Sequence, residues 1–242
     1  QGLKKSVIVV ATSDTSALIR IKAAYTATTI AEYFRDNNKD VLFMMDSITR
    51  FAMAGREVAL SVGESPGRRG YPPSVFAKLP KLMERVGTRK DKGTITGIYT
   101  VLVEGGDMDE PISDSIRAIS DGHIVLDRNL AARNHFPAID ILDSISRVMN
   151  KVVSNEHLVL ASYIKDLYAA YKEKEDLIAV GAYGGGNEKV DKSIRIHEEL
   201  NNLLKQMQGF TEFISIEDIY DRMVELTRKI EQEFASSEDS KK

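Results

Sequence analysis

Val41-Leu-Phe-Met-Met-Asp46-Ser-Ile-Thr-Arg50-Phe51 is the stretch on which the fold turns. Five apolar residues run without alternation and stop at an acid. A strand that is apolar on both faces belongs inside a parallel sheet with helices on each side. In such sheets ligands bind beyond the carboxyl ends of the strands, where Asp46 would stand. A carboxylate in that position suits a Mg²⁺ ion and its waters beneath a nucleoside triphosphate. The same sequence also describes an ordinary buried strand whose terminal Asp46 caps the following helix.

Working outward, Val7-Ile-Val-Val-Ala11 reads as an earlier strand. A helix is expected from about Ser16 to Phe34, with Leu18, Ile21, Tyr25, Thr28 or Thr29 and Ala31 inward. Strand, helix and the Asp46 strand together imply a parallel crossover. After Asp46 a helix carries Ile48, Phe51, Ala52, Gly55, Val58 and Val62 on one side, leaving Arg50 free to face a phosphate and Arg56 to face solvent. Gly63 to Pro73 holds three glycines and three prolines and can be neither helix nor central strand. Its Arg68 and Arg69 read as residues of an exposed loop. Ser74 is expected to cap a helix that Pro80 kinks or breaks and Gly87 closes. Thr94 to Val103 is a β-branched run, hence a further central strand, and His123 to Leu126 reads as a strand.

The composition bounds the function. The chain has 242 residues, 43% of them hydrophobic, enough for a sizeable core. A formal charge of -3 gives no overall basic field for nucleic acid or anionic membrane. There are no cysteines, so disulfides and thiolate metal sites are excluded. His123, His135, His157 and His197 are scattered without metal-ligand spacing. All six prolines lie at or before Pro137, so the remainder reads as helical. Ser215-Ile-Glu-Asp218 opens its last helix in capping-box style, and residues 236–242 read as a disordered tail.

Three stretches taken together carry a specific resemblance: Val41 to Phe51, Gly70-Tyr-Pro-Pro-Ser-Val-Phe76, and Phe136-Pro-Ala-Ile-Asp140 through Ser146-Arg147-Val-Met149. The chain resembles the flagellar and type III secretion export ATPases, relatives of the catalytic subunit of rotary ATP synthases. The resemblance implies an α/β, RecA-like parallel sheet over residues 1–150, incomplete on its N-terminal side, and an all-α C-terminal domain over 151–235. It implies ATP and magnesium as cofactors. By position, Asp46 resembles the Walker-B acid that holds the Mg²⁺ hydration shell, and Arg147 the arginine finger that reaches a neighbour's γ-phosphate. Phe136 resembles the aromatic packed on adenine, with Phe210 as its companion. The Asp107, Asp109 and Glu110 loop resembles the one lining the ring's pore.

The same resemblance implies a homohexameric ring around a central coiled-coil stalk protein. A stator-like regulator, export substrates with their chaperones, and a membrane export gate are the further partners, with no nucleic acid among them. The expected place is cytoplasmic, peripheral to the inner membrane at the export apparatus. One family feature is missing: no Gly-x-x-x-x-Gly-Lys-Ser/Thr occurs, so the phosphate-cradling loop is absent. The chain is therefore expected to be the C-terminal portion of a longer ATPase, inactive by itself. Two other readings stand beside this one. An RNA-translocating hexameric helicase of the transcription-terminator type shares a similar Asp-Ser-Ile-Thr-Arg stretch, although no aromatic-basic RNA loops are visible. A non-catalytic docking module is the other.

Overall fold

In the computed structural model, residues 2–206 and 214–239 are described. They divide into two compact units, Gln1–Ser120 and Asp121–Lys242. The first contains α1 (Ala17–Asp36), β1 (Asp40–Met45), α2 (Ile48–Ser61), α3 (Pro73–Met83), β2 (Gly87–Thr88), β3 (Thr94–Tyr99) and α4 (Pro111–Ile119). The second contains β4 (Gly122–Leu126), α5 (Arg128–Ala132), β5 (Ile139–Ser146), α6 (Met149–Val152), α7 (Asn155–Ala179), α8 (Glu188–Arg195), α9 (His197–Leu204) and α10 (Ile216–Asp239).

In the first unit β1 and β3 pair in parallel, from Asp40 opposite Thr94 to Met45 opposite Tyr99. Short β2 adds antiparallel to β3, giving the order β1-β3-β2. The apolar run of β1 is buried on one side only. Phe43 joins Ala31 of α1 and Ile95 of β3 in a small core. Leu42 and Met44 point the other way and are 63% and 68% exposed, because no described element of this unit covers that face. Burial on both faces, expected from the unbroken apolar run, is therefore not what the strand shows.

Val7 to Ala11 likewise forms no strand. Without a ladder partner its backbone groups have no sheet to join, and Val7 to Val10 stay exposed. The larger core lies among α2, α3 and α4, where Ile48, Phe51, Leu79, Leu82, Ile112 and Ile116 pack together.

The local signals around α3 are redistributed. Pro72 takes the N-cap position, with Pro73 opening the helix, and Ser74 gives its backbone N–H to Glu64 Oε1 at 2.9 Å. The helix passes through Pro80 and ends at Met83; Gly87 enters β2 and does not close it. Leu18 of α1, expected inward, is exposed, while Ala17, Thr28, Ala31 and Arg35 are the buried positions.

In the second unit β4 and β5 form an antiparallel pair, with an irregularity between His123 and Val125. The single long α7 continues past Lys172–Asp176 to Ala179. Within the stretch read as helical, the chain divides at Ile196 into α8 and α9. These pack with α10 around Leu167, Ile196, Leu200, Met223, Leu226 and Ile230. The capping box forms: Asp218 N–H donates to Ser215 Oγ at 3.0 Å, and Ser215 N–H donates to Asp218 Oδ2 at 3.0 Å. The helix it opens runs to Asp239, into the segment expected as tail. No helix among the described residues is long and apolar enough to cross a membrane.

Candidate functional site

Asp46 follows the last residue of β1, and the chain turns at once into α2, whose N-terminus is capped by Ser47 Oγ accepting from Arg50 N–H at 3.3 Å. The cap is thus Ser47 and not Asp46, which leaves the acid available. Asp46 is exposed at the mouth of a cavity of about 270 Å³ that also bears Arg20, Ser47, Arg50 and Phe51. That volume lies at or below the small end of ligand pockets, enough for a hydrated metal and phosphate oxygens.

One carboxylate oxygen of Asp46 is held. Thr100 Oγ1, one residue beyond β3, donates to Asp46 Oδ1 at 2.8 Å. The other oxygen has no protein donor among the described residues. Mg²⁺ is usually bound through one or two carboxylates, its own waters and substrate phosphates. A single exposed acid with an open oxygen fits that requirement, and no cluster of three or more acidic or histidine ligands occurs among the described residues.

The arginines beside it differ. Arg20 Nη2 donates to Glu57 Oε2 at 2.6 Å, so its charge is committed. Arg50 is exposed in the cavity. Arg56 is not simply a solvated residue, since its guanidinium lies over the Tyr71 ring at 5.3 Å.

The other residues singled out fall elsewhere. Asp107, Asp109 and Glu110 belong to the first unit, just ahead of α4. The carboxylate of Asp107 accepts from Arg69 Nη1 at 2.7 Å, which holds it below the usual aspartate range. Glu110 accepts from Ser113 N–H at 3.2 Å and caps α4, so the exposed Asp109 is the one of the three whose carboxylate is uncommitted to a fold contact. Arg68, the neighbour of Arg69, faces Asp114 at 3.6 Å. The Gly-rich loop, read as simply exposed, is thus fastened to the acidic loop.

Arg147 and Phe136 belong to the second unit. Arg147 follows β5, is exposed, and has its backbone N–H donated to Asp121 O at 2.8 Å. Phe136 is half-buried beside His135, which is almost fully buried and whose imidazole is pushed below its ordinary pKa by burial first, then by Lys205 and Lys172. Phe210 lies outside the described residues. The segment leading toward it is nonetheless tied to Phe136, because Gln206 N–H donates to Phe136 O at 2.7 Å.

Comparison with known proteins bears on the family and the fold. The type III secretion system EscN ATPase C-terminal domain matches residues 153–225. The flagellum-specific ATP synthase of Bacillus subtilis is 55% identical over 85% of this chain and 47% of its own length. The SPI-2 type 3 secretion system ATPase of Salmonella typhimurium is 51% identical over 84% of this chain and 47% of its own. Among solved structures, the assembled ATPase EscN from the enteropathogenic E. coli type III secretion system superposes with a TM-score of 0.85 at 51% identity, covering 90% of this chain and 52% of that one. EscN has also been solved in complex with its central stalk EscO. The chain spans about half the length of the curated relatives it matches. These neighbours make the fold RecA-like, a mixed α/β region followed by helices. The ATP synthase alpha/beta family, nucleotide-binding domain, matches residues 1–146, more than half of the chain, and to that family the protein belongs.

Proposed function

We propose that this chain works as part of an ATP-hydrolysing motor that energises protein export through a flagellar or type III secretion apparatus. The observation that carries the reading is Asp46 at the carboxyl end of β1, one oxygen held and the other open, beside Arg50 in a shared cavity. Family membership supports the nucleotide, and the names of the relatives support the export task. The helicase alternative draws no support from those names.

In this reading Asp46 orients the waters of Mg²⁺, which when bound with ATP neutralises charge on the phosphates. Phe136 would pack on adenine. Arg147 reaches from one subunit to its neighbour's nucleotide, where such a finger is worth roughly 10³–10⁵ in rate. The active form is a homohexamer around a central stalk, a reading supported by an assembled EscN and by EscN in complex with its stalk EscO. That the stalk is a coiled coil and meets the Asp109 loop rests on the family alone. The stator-like regulator, the export substrates and chaperones, and the cytoplasmic station at the membrane export gate rest on the family alone. The division into an ATPase part and a helical part near residue 150 is supported by the extents of the two family matches, 1–146 and 153–225.

The test is ATP turnover by this chain and by the chain joined to the remaining length that its relatives carry. The short form is expected to be inactive and the long form active. Arg147→Ala in the long form is expected to lower turnover by roughly 10³-fold or more. Full turnover by that variant would remove the finger assignment.

A further inference from the structure

Asp46 has a fixed side-chain neighbour, and the neighbour itself is fixed. Thr100 N–H donates to Met45 O at 3.0 Å, and Ile48 N–H donates to Thr100 O at 3.1 Å. Two residues on, Leu102 N–H donates to Thr49 Oγ1 at 2.9 Å, and Thr49 is buried. The chain leaving β3 is therefore laced to the turn between β1 and α2 on both sides of the acid. Thr100 sits opposite Asp46 because the parallel register that sets Met45 against Tyr99 carries on by one residue. Its hydroxyl has two acceptors in reach, Asp46 Oδ1 at 2.8 Å and Met45 O at 3.3 Å. A hydroxyl carries one proton, and the shorter, charge-assisted contact to the carboxylate takes it.

We infer that Thr100 is a positioning residue for the metal: its hydroxyl locks Asp46 through Oδ1 so that the other oxygen is presented to Mg²⁺-bound water. The inference rests on the proposed function and deepens it. An unheld Asp at the end of a strand can rotate about χ1 and χ2, and each rotation carries its free oxygen away from the metal. The bond to Thr100 removes that freedom before the metal arrives. Partners that orient a metal-binding carboxylate in this way typically account for roughly 10–100-fold in metal affinity or activity. Thr100 touches neither nucleotide nor metal in this scheme and acts only through Asp46.

The experiment compares wild type, Thr100→Val, Thr100→Ser, Asp46→Asn and the double variant Asp46→Asn/Thr100→Val in the long, ATPase-competent form. Turnover and the binding of a fluorescent ATP analogue are each measured against Mg²⁺ at fixed nucleotide, with circular dichroism to check folding. Thr100→Val keeps the shape and loses the hydroxyl. It is expected to raise the Mg²⁺ concentration for half-maximal turnover roughly 10-fold, with little change in KM for ATP at saturating Mg²⁺. Thr100→Ser is expected to restore the wild-type response, and Thr100→Val should add no further loss in the Asp46→Asn background. If Asp46→Asn is inactive while Thr100→Val responds to Mg²⁺ as wild type does, the positioning inference alone is overturned. A Thr100→Val loss that serine does not rescue overturns it too, pointing to packing in place of the hydroxyl. An inactive wild type, or Asp46→Asn turning over at the wild-type rate, overturns the reading of Asp46 and the inference with it.

Discussion

Arg69 and Asp107 stand 2.7 Å apart, nitrogen to oxygen, across 38 residues of sequence. Arg69 holds a left-handed backbone conformation, φ 47°, within a loop rich in glycine and proline. The pair joins two segments that have little regular structure of their own. Both side chains are about half exposed, so the contribution to global stability is small and screened by salt. The consequence is local: the acidic loop is pinned at one end by Arg69 and at the other by Glu110 on α4.

Arg69→Ala is accordingly expected to leave the melting temperature nearly unchanged while amide exchange quickens across residues 104–110. Hydrogen-exchange mass spectrometry reads this directly. Because Arg69 holds the Asp107 carboxyl below its usual value of 3.8, the protection should persist through mild acid and disappear only as pH falls below that range. Unchanged exchange in the variant would mean that the loop is held by its backbone turns alone.

A second ion pair is set deeper. Arg85 reaches Glu32 through two nitrogens, Nε at 2.9 Å among them, and also Thr29 Oγ1 at 2.9 Å, with its guanidinium 6.0 Å from the Tyr25 ring centroid. It fastens the segment after α3 to α1. Arg85→Ala should destabilise by about 1.5–3 kcal/mol at pH 7, as expected for a partly buried, charge-assisted contact. The Glu32 carboxyl is lowered chiefly by hydrogen bonds from Arg85. A depressed carboxyl contributes its full stabilisation above the usual glutamate value of 4.5 and loses it as pH falls through the lower folded value. Urea titrations at pH 7 and pH 3 should therefore show the difference between variant and wild type shrinking in acid.

Leu79 and Leu200 are each wholly buried, one among α2, α3 and α4 and the other among α7, α9 and α10. Replacing either with alanine removes buried methyl groups and leaves a cavity, at a cost of about 2–5 kcal/mol. Denaturant midpoints of the two variants check this, and a loss below 1 kcal/mol would mean that the neighbouring side chains collapse into the space.

Gly93 precedes β3, where its N–H donates to Arg35 O at 3.0 Å and the next residue, Thr94, donates to Lys39 O at 3.2 Å. A Cβ at this position would be driven into the Lys39 carbonyl and backbone. Gly93→Ala is expected to cost about 1–3 kcal/mol, because backbone and not a flexible side chain must move. Thermal melting measures the loss.

What could be read from the sequence was whatever is encoded locally. The parallel strand before Asp46, the helix after it and the capping box at Ser215 depend on neighbours a few residues away. Thr100 against Asp46 and Arg69 against Asp107 depend on strand register and loop return, which no short window contains. Ile139 to Ser146 mixes acids with apolar residues and declares neither helix nor strand until β4 pairs with it. The break at Ile196 has no glycine or proline to announce it. Pro80 shows the converse: a strong signal for a kink that α3 absorbs within its last turn.

The bare side of β1 has a consequence for handling the protein. Met44 and Ile98 are cross-strand neighbours in register, 68% and 46% exposed, with Leu42 beside them. Hydrocarbon held in water adds nothing to folding free energy, so at these positions the usual rule reverses: a polar replacement should leave stability alone and reduce adhesion to dyes, surfaces and other copies of the chain. An apolar residue in a sequence records a capacity for burial, and on this face that capacity is unspent.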